Sequence, residues 1–141
     1  MSPVVRQPHE VLVFVHRGEE FLVVHRSERR GAYWHAVAGG VELGESATEA
    51  ARRELHEETG LKAEPEATGH TFTYLPEAWE PHAGIGPVRV DCFLVEAPTG
   101  WEPELDWEHD DHRWCQREQA AELLFWPEPR ELLQQIAPGR K

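Results

Sequence analysis

The chain has 141 residues, of which 14 are Lys or Arg and 26 are Asp or Glu, giving a formal net charge of −12 at pH 7. That length suits one compact domain with its own core, so we expect residues 1–141 to form a single domain. The negative charge argues against a protein that binds the nucleic-acid backbone, because like charges repel.

The first residues and the cysteines predict a compartment. Met1–Glu10 is polar, and the apolar run Val11–Val15 is too short for a signal-peptide core or a membrane span. Cys92 and Cys115 have neither CxxC spacing nor a histidine at zinc-finger distance, so we expect free thiols rather than a disulfide or a metal site. These features predict a cytoplasmic protein.

The N-terminal third is predicted to form a β-hairpin and a further strand. Two apolar, β-branched runs, Val11–Val15 and Phe21–Val24, flank the polar stretch Arg17–Glu20. Ser27–Gly31 is a charged segment and is predicted to be a loop. Trp34–Val41 is predicted to be extended and to lead into two glycines.

Ser46–Thr59 carries the strongest helix signals in the sequence. Ser46 is a favourable N-cap, and Glu49, three residues later, completes a capping box. Gly60 stands where a left-handed C-cap residue is expected. The predicted buried stripe consists of Ala47, Ala51 and Leu55, with Ala50 beside it.

The remaining chain mixes strands and helices. Strands are predicted over Leu61–Leu75 and Val88–Glu96, with a Pro- and Gly-rich loop between them, and the acidic segment Pro98–Asp111 follows. The last predicted elements are a short strand, Arg113–Cys115, and two helices, Gln116–Leu124 and Glu128–Ile136. Because strands and helices do not alternate strictly, the pattern predicts an α+β or mixed-sheet α/β fold.

The predicted helix carries a cluster of like charges. Glu54, Glu57 and Glu58 fall on one side of it at 100° per residue. In water each repelling pair costs roughly a few tenths of a kcal/mol, whereas a hard divalent cation among the oxygens would make the cluster favourable. Such a cation would also bridge an acidic protein and a phosphate substrate.

Arg53 stands at helical spacing from two carboxylates, Glu49 four residues before it and Glu57 four residues after it. Glu before Arg is the favoured order for a helical ion pair. We therefore expect Arg53 to steady the carboxylate cluster, and it could also contact a substrate phosphate.

The segment Gly39–Leu61 resembles the signature of a known family. Gly39 is followed after five residues by Glu45, and after seven more by the run Arg-Glu-Leu-His-Glu-Glu-Thr-Gly-Leu, which begins at Arg53. This pattern is similar, without a mismatch, to the Nudix box. The resemblance implies a Nudix fold, in which a mixed β-sheet is sandwiched between α-helices.

The resemblance also implies a chemistry and a set of roles. Water would attack a phosphorus atom while Mg²⁺, or Mn²⁺ in its place, neutralises charge on the phosphate oxygens. Glu57 and Glu58 would be the main metal ligands, and Glu54 would add a ligand or help to activate water. The remaining box residues would be structural: Arg53 and Glu45 would hold the loop and helix in register, and Gly39 and Gly60 would permit backbone turns.

Nudix sites often recruit one more carboxylate from outside the box. The candidates are Asp106, Glu108, Asp110 and Asp111. Glu108 is favoured because Glu108-His109 followed by Trp114 resembles the late part of bacterial dihydroneopterin triphosphate and dATP pyrophosphatases. The stretch from His25-Arg26 to Tyr33-Trp34 resembles their early part, and the chain departs from them between Tyr74 and Val90.

Three residues are candidates for substrate contacts. Arg26 would offset substrate charge, and Trp34 and Trp79, in predicted loops, could stack on a base or a pterin ring. Trp114 and Trp126 stand at element boundaries and are predicted to be packing residues.

The expected function is hydrolysis of a phosphoanhydride bond in a nucleoside triphosphate or another nucleoside-diphosphate-linked small molecule, releasing a monophosphate. Dihydroneopterin triphosphate is the alternative substrate. A Nudix-fold sensor without catalysis is a second alternative, although such modules generally lose box carboxylates that this chain keeps. A prenyl diphosphate isomerase is a third, and the placement of Cys92 and Cys115 does not favour it. The resemblance leaves a homodimer open and implies neither a nucleic-acid nor a membrane partner.

Overall fold

The described part of this computed structural model, residues 6–77 and 86–136, forms seven strands, three α-helices and one short 3₁₀ helix. The strands are β1 (Arg6–Arg17), β2 (Glu20–Arg26), β3 (Trp34–His35), β4 (Val37–Glu42), β5 (Glu66–Tyr74), β6 (Val88–Glu96) and β7 (His109–Gln116). The helices are α1 (Ala47–Thr59), α2 (Arg117–Leu123) and α3 (Pro127–Gln135), with the 3₁₀ helix over Glu28–Arg30.

Strand β1 organises the sheet. It pairs in parallel with β6, which pairs antiparallel with β5. Along its other edge β1 pairs antiparallel first with β4 and then, at the hairpin end, with β2. Strand β2 also pairs with β3 and β7. The sheet is therefore mixed, and it splits where β4 and β2 pair with different parts of the same edge of β1.

Side chains alternate along β1 between two buried layers. Val11, Val13 and Val15 belong to one apolar cluster together with Ala51 and Leu55 of α1. The intervening residues of β1 belong to a second cluster with side chains of the C-terminal helices: Leu12, Phe14, Ala120, Ala121, Leu132 and Leu133. Because successive strand side chains point to opposite faces, both faces of the sheet are covered by helices. This arrangement confirms the predicted mixed sheet between α-helices.

Helix α1 begins and ends as its sequence predicts. The Ser46 hydroxyl accepts from the Glu49 backbone N–H, and the Glu49 carboxylate accepts from the Ser46 N–H, so the capping box is complete. Gly60 ends the helix in the left-handed region with φ of 83°. Ala50, Ala51 and Leu55 are fully buried, as predicted, whereas Ala47, also predicted to be buried, is only partly buried against the same cluster.

Several predictions of secondary structure need correction. Strand β1 starts at Arg6 rather than Val11, and the predicted segment Trp34–Val41 forms two strands, β3 and β4. Strand β5 starts at Glu66, because Leu61 instead turns into the core beneath α1. Ser27–Gly31 contains a 3₁₀ turn, Glu28–Arg30. Strand β7 is longer than predicted and extends back to His109, because its polar side chains hide the alternation while its backbone pairs with β2.

Other predictions concern the thiols, membrane spans and the loop before β6. Cys92 and Cys115 are buried free thiols, as predicted. Within the described ranges, no helix is long and apolar enough to span a membrane. Most of the predicted Pro- and Gly-rich loop, with Trp79 and His82, lies outside the described residues.

Candidate active site

A cleft of about 1510 Å³ opens between α1, β4 and the turns that follow β2 and precede β7. Glu54 and Glu57 line it from α1, and Gly39 and Gly40 line it from β4. The end of β2 and the two turns contribute charged lining residues: Arg26, Arg29, Arg30, Asp106 and Glu108. The cleft thus brings together the signature segment and charged side chains from two distant parts of the chain.

Glu54 and Glu58 form a buried pair of carboxyls, one helical turn apart. Glu58 Oε1 accepts from the Ala38 backbone N–H at 3.4 Å. Burial raises the pKa of both carboxyls, and the adjacent Glu54 raises the pKa of Glu58 further. Both carboxyls therefore ionise less readily than a carboxyl in water.

The pair has donor atoms suited to a divalent cation. Glu58 is 2% exposed, and its Oε2 has no hydrogen-bond partner among the described residues. In the same residues no three His, Cys, Asp or Glu side chains form a metal cage by themselves. Mg²⁺ does not require one, since one or two carboxylates, waters and substrate phosphates commonly complete its shell. Glu54 and Glu58 fit that requirement.

Glu57 differs from its two neighbours. Its side chain is 54% exposed, lines the cleft and lies 3.4 Å from Arg53 Nη1. The three glutamates predicted to form one group therefore divide into a buried pair and an exposed member at the cleft. Glu57 is therefore the most accessible of the three carboxylates.

Arg53 joins the loop before α1 to the carboxylate cluster. Its guanidinium donates two hydrogen bonds to Glu45, at 2.7 and 2.9 Å, and one to the Gly40 carbonyl oxygen at 2.9 Å. It also donates to Glu54 Oε2 at 3.0 Å. Hydrogen bonding to Glu45 raises the pKa of Arg53, so its charge is permanent. The fork geometry of an arginine is needed to make these contacts at once.

Gly39 has a different role from the backbone turn that its place in the signature implies. It lies within β4, and a Cβ built on it would stand 2.1 Å from the Glu54 carboxyl carbon. Only glycine leaves room for Glu54 to lie against the strand. The close approach between sheet and helix, rather than a turn, requires this residue.

Arg26 is the most deeply buried cation of the cleft. It is 7% exposed, and its Nε and Nη1 atoms have no hydrogen-bond partner among the described residues. Glu108 Oε1 stands 3.8 Å from Nη1, which is an ion-pair distance but too long for a hydrogen bond. Its unsatisfied donors suit an anionic ligand.

The candidate outside carboxylates divide into two groups. Asp106 and Glu108 line the cleft. Asp110 instead pairs with His25 at 2.7 Å, and its neighbour Asp111 accepts from the His112 backbone N–H. Neither Asp110 nor Asp111 is among the described lining residues. Of the four candidates from outside the box, Asp106 and Glu108 are therefore the two that lie at the cleft.

The aromatic residues that line the described part of the cleft differ from those predicted to contact substrate. Trp34 is not among the residues of the described part that line the cleft. Its ring packs edge-on against His25, at 5.0 Å between ring centroids, and also contacts the Arg113 guanidinium. Trp79 lies outside the described residues. Tyr33 and Trp126, whose rings are 5.8 Å apart and nearly perpendicular, do line the cleft. Trp126, predicted to be only a packing residue, thus becomes a candidate for substrate contact.

Two buried histidines near the site were not assigned a role from the sequence. His35 lines the cleft, and burial, with Arg26 and His109 nearby, lowers its pKa to about 3. The His109 side chain is fully buried against Glu58 and Asp106. Neither belongs to a metal-binding motif, so only the tertiary contacts identify them.

Solved structures share this architecture. The E. coli dihydroneopterin triphosphate pyrophosphohydrolase has a TM-score of 0.82 at 22% identity, covering 95% of this chain and 97% of that one. A C. elegans Ap4A hydrolase has a TM-score of 0.69 at 26% identity, covering 92% and 93%. The first likeness shows the fold alone, because its sequence identity is low.

Curated relatives match over part of their length. An octanoyltransferase from Myxococcus xanthus is 36% identical over 111 residues, 77% of this chain and 30% of that protein. Phosphatase NudJ from Escherichia coli strain K12 is 44% identical over 61 residues, 43% of this chain and 40% of NudJ. The chain therefore spans less than half the length of these relatives. A family model described as the NUDIX domain matches residues 6–136, and the chain belongs to that family.

Proposed function

We propose that this protein is a Mg²⁺-dependent pyrophosphohydrolase. Its substrate is a nucleoside triphosphate or another nucleoside-diphosphate-linked compound, and a monophosphate is released. The observation that carries the proposal is the buried Glu54–Glu58 pair, with raised pKa values, beside a cleft that also holds an unsatisfied, buried Arg26. Acidic and basic groups at one cleft suit a substrate that carries phosphates and a cation together.

Glu54 and Glu58 would hold the cation, with Glu57 and Glu108 at the cleft as further candidate ligands. The cation, Mg²⁺ or Mn²⁺, supplies neutralisation of charge on the phosphate oxygens. Burial raises the pKa of Glu54, which makes its carboxylate a stronger base toward an attacking water. We therefore assign Glu54 to ligand binding or to accepting the proton of that water.

Arg26 would bind phosphate oxygens directly. A buried guanidinium with two unsatisfied donors has lost its hydration without gaining hydrogen bonds in return. An anionic ligand would supply those hydrogen bonds. Arg53 would act one step away by keeping the Glu45 loop and Glu54 in place. Charges of both signs are therefore arranged before substrate arrives, which is the main requirement of phosphoryl chemistry.

A second candidate substrate is dihydroneopterin triphosphate. The likeness to the E. coli pyrophosphohydrolase covers nearly the whole chain, and the cleft contains Tyr33 and Trp126 as aromatic walls. Such rings can pack against a base or a pterin. A small-molecule substrate in the cytoplasm is consistent with the acidic surface and the two free thiols.

The test is a substrate panel with purified protein and Mg²⁺. It includes nucleoside triphosphates, dinucleoside polyphosphates, nucleoside-diphosphate sugars and dihydroneopterin triphosphate, with chromatographic separation of substrate from its monophosphate product as the readout. We expect turnover that chelation abolishes and added Mg²⁺ restores. Absence of turnover above background in a folded protein that binds Mg²⁺ would refute hydrolysis and favour a sensor.

A further inference from the structure

His109 connects the carboxylate pair to the acidic turn before β7. Its Nδ1 lies 2.9 Å from Asp106 Oδ1, and its Nε2 lies 3.6 Å from Glu58 Oε1. The side chain is fully buried and is not among the described residues that line the cleft. The imidazole thus lies between Asp106, which lines the cleft, and Glu58 of the buried pair.

The backbone holds His109 in this place. It pairs with Arg26 where β7 meets β2, beside a register shift between His25 and Arg26. The His109 N–H also donates to the Asp106 carbonyl oxygen at 3.2 Å. Because the main chain and Nδ1 are both held, the imidazole has little freedom to turn away from Glu58.

The other ring nitrogen, Nε2, lies near Glu58. Nε2 has no hydrogen-bond partner among the described residues, and Glu58 Oε1 is slightly beyond hydrogen-bond distance. An imidazole nitrogen can donate to a carboxylate or accept from a carboxylic acid, so it suits Glu58 in either form. A shift of well under 1 Å would make the bond.

We propose that His109 is a positioning residue that fixes the Glu58 carboxylate for the divalent cation, with Asp106 holding the imidazole. This inference rests on the proposed function, because it requires Glu58 to bind metal. Groups behind metal-binding side chains orient them, and their loss typically weakens metal affinity about 10- to 100-fold. His109 itself would touch neither substrate nor reacting atoms.

Two variants, His109→Asn and His109→Gln, distinguish a role in positioning Glu58 from a role in packing alone. The asparagine amide reaches about as far as Nδ1, so it can keep the Asp106 contact but not the one to Glu58. The glutamine amide reaches about as far as Nε2 and can donate or accept there. A role in packing alone predicts similar metal affinity for both variants, since both place a polar amide in one buried site.

The experiment is calorimetric titration of Mn²⁺ into metal-free wild type, His109→Asn and His109→Gln, with circular dichroism as the check of folding. His112→Asn is the matched control, because His112 lies on the same strand, is partly exposed and contacts Glu102 instead. We expect His109→Asn to raise the Kd for Mn²⁺ at least about 10-fold, with His109→Gln and His112→Asn within about 3-fold of wild type.

A fourth variant, His109→Leu, fills the site without burying an amide and tests the inference if the asparagine variant does not fold. It should also raise the Kd at least about 10-fold. Equal Kd values for the asparagine and glutamine variants, or a wild-type Kd for the leucine variant, would overturn the role of His109. Either result would leave the metal assignment in place. Absence of Mn²⁺ binding by folded wild type would overturn the metal assignment in the proposed function, and the role of His109 with it.

Discussion

Gly39 and Glu54 stand so close that a Cβ on residue 39 would lie 2.1 Å from the Glu54 carboxyl carbon. Gly39→Ala must therefore displace a carboxylate that the proposed chemistry uses. We expect a loss of about 1–3 kcal/mol in the free energy of unfolding, measured by urea denaturation, from this overpacking. We also expect turnover to fall at least about 10-fold, which 1.4 kcal/mol of lost transition-state stabilisation would produce.

A double-mutant cycle tests the cause of this loss. In the Glu54→Ala background the clashing carboxylate is absent, so Gly39→Ala should cost much less stability than in wild type. An equal cost in both backgrounds would show that the strand, rather than Glu54, demands the glycine.

Neutralising the acidic cluster should abolish most activity. Glu57→Gln and Glu58→Gln remove charge with almost no change in volume, and we expect each to lower kcat at least about 10²-fold, because metal-borne charge stabilisation supplies several kcal/mol. Steady-state kinetics with saturating Mg²⁺ measures this. The control is Glu122→Gln, an exposed position on α2. Wild-type turnover in both variants would refute the metal assignment.

Replacing Arg26 should weaken substrate binding. Arg26→Gln removes a buried guanidinium with unsatisfied donors, and a lost charged hydrogen bond is worth about 1.5–3 kcal/mol. We therefore expect kcat/KM to fall about 10- to 100-fold, mainly through KM. Arg29→Gln, at an exposed residue of the same cleft, should change kcat/KM less than about 2-fold. Similar effects of the two changes would show general charge attraction instead of a specific contact.

Arg53→Lys should fail to replace arginine despite keeping the charge. Lysine cannot donate to both Glu45 oxygens while also reaching Gly40 and Glu54. We expect a lower melting temperature and at least about a 10-fold loss of kcat, since Glu54 loses its fixed partner. Calorimetry and kinetics on the same preparation measure both. The idea is wrong if lysine restores both quantities to wild-type values.

His35 should make stability depend on pH in acid. Burial lowers its pKa to about 3, so between pH 6.5 and that value the unfolded chain binds a proton that the folded protein does not. The stabilisation that comes from keeping the His35 imidazole neutral is therefore complete above pH 6.5. It is lost as the pH falls from 6.5 toward 3. The free energy of unfolding of wild type relative to His35→Gln should decline by about 1.4 kcal/mol per pH unit in this window. A pH-independent difference between the two proteins would contradict the expectation.

Local signals predicted much of the helix and the strands around β1. Ser46, Glu49 and Gly60 cap α1 through contacts within a few residues, so their pattern in the sequence is enough to place it. Two apolar, β-branched runs likewise predicted the hairpin, and β6 was predicted with the bounds that the structure has. Strand β7 was predicted too short, because its polar side chains conceal a pairing with β2 that only the backbone reveals.

The sequence by itself determined that three glutamates share one helix with an arginine and two flanking glycines, because helical spacing and caps are local properties. Only the tertiary structure decided how they divide, with Glu54 and Glu58 buried together and Glu57 left exposed. The packing of α1 against β4 buries that side of the helix and makes Gly39 necessary. Arg26 and His109 reach the site through pairing of strands more than 80 residues apart, a contact that no local pattern records.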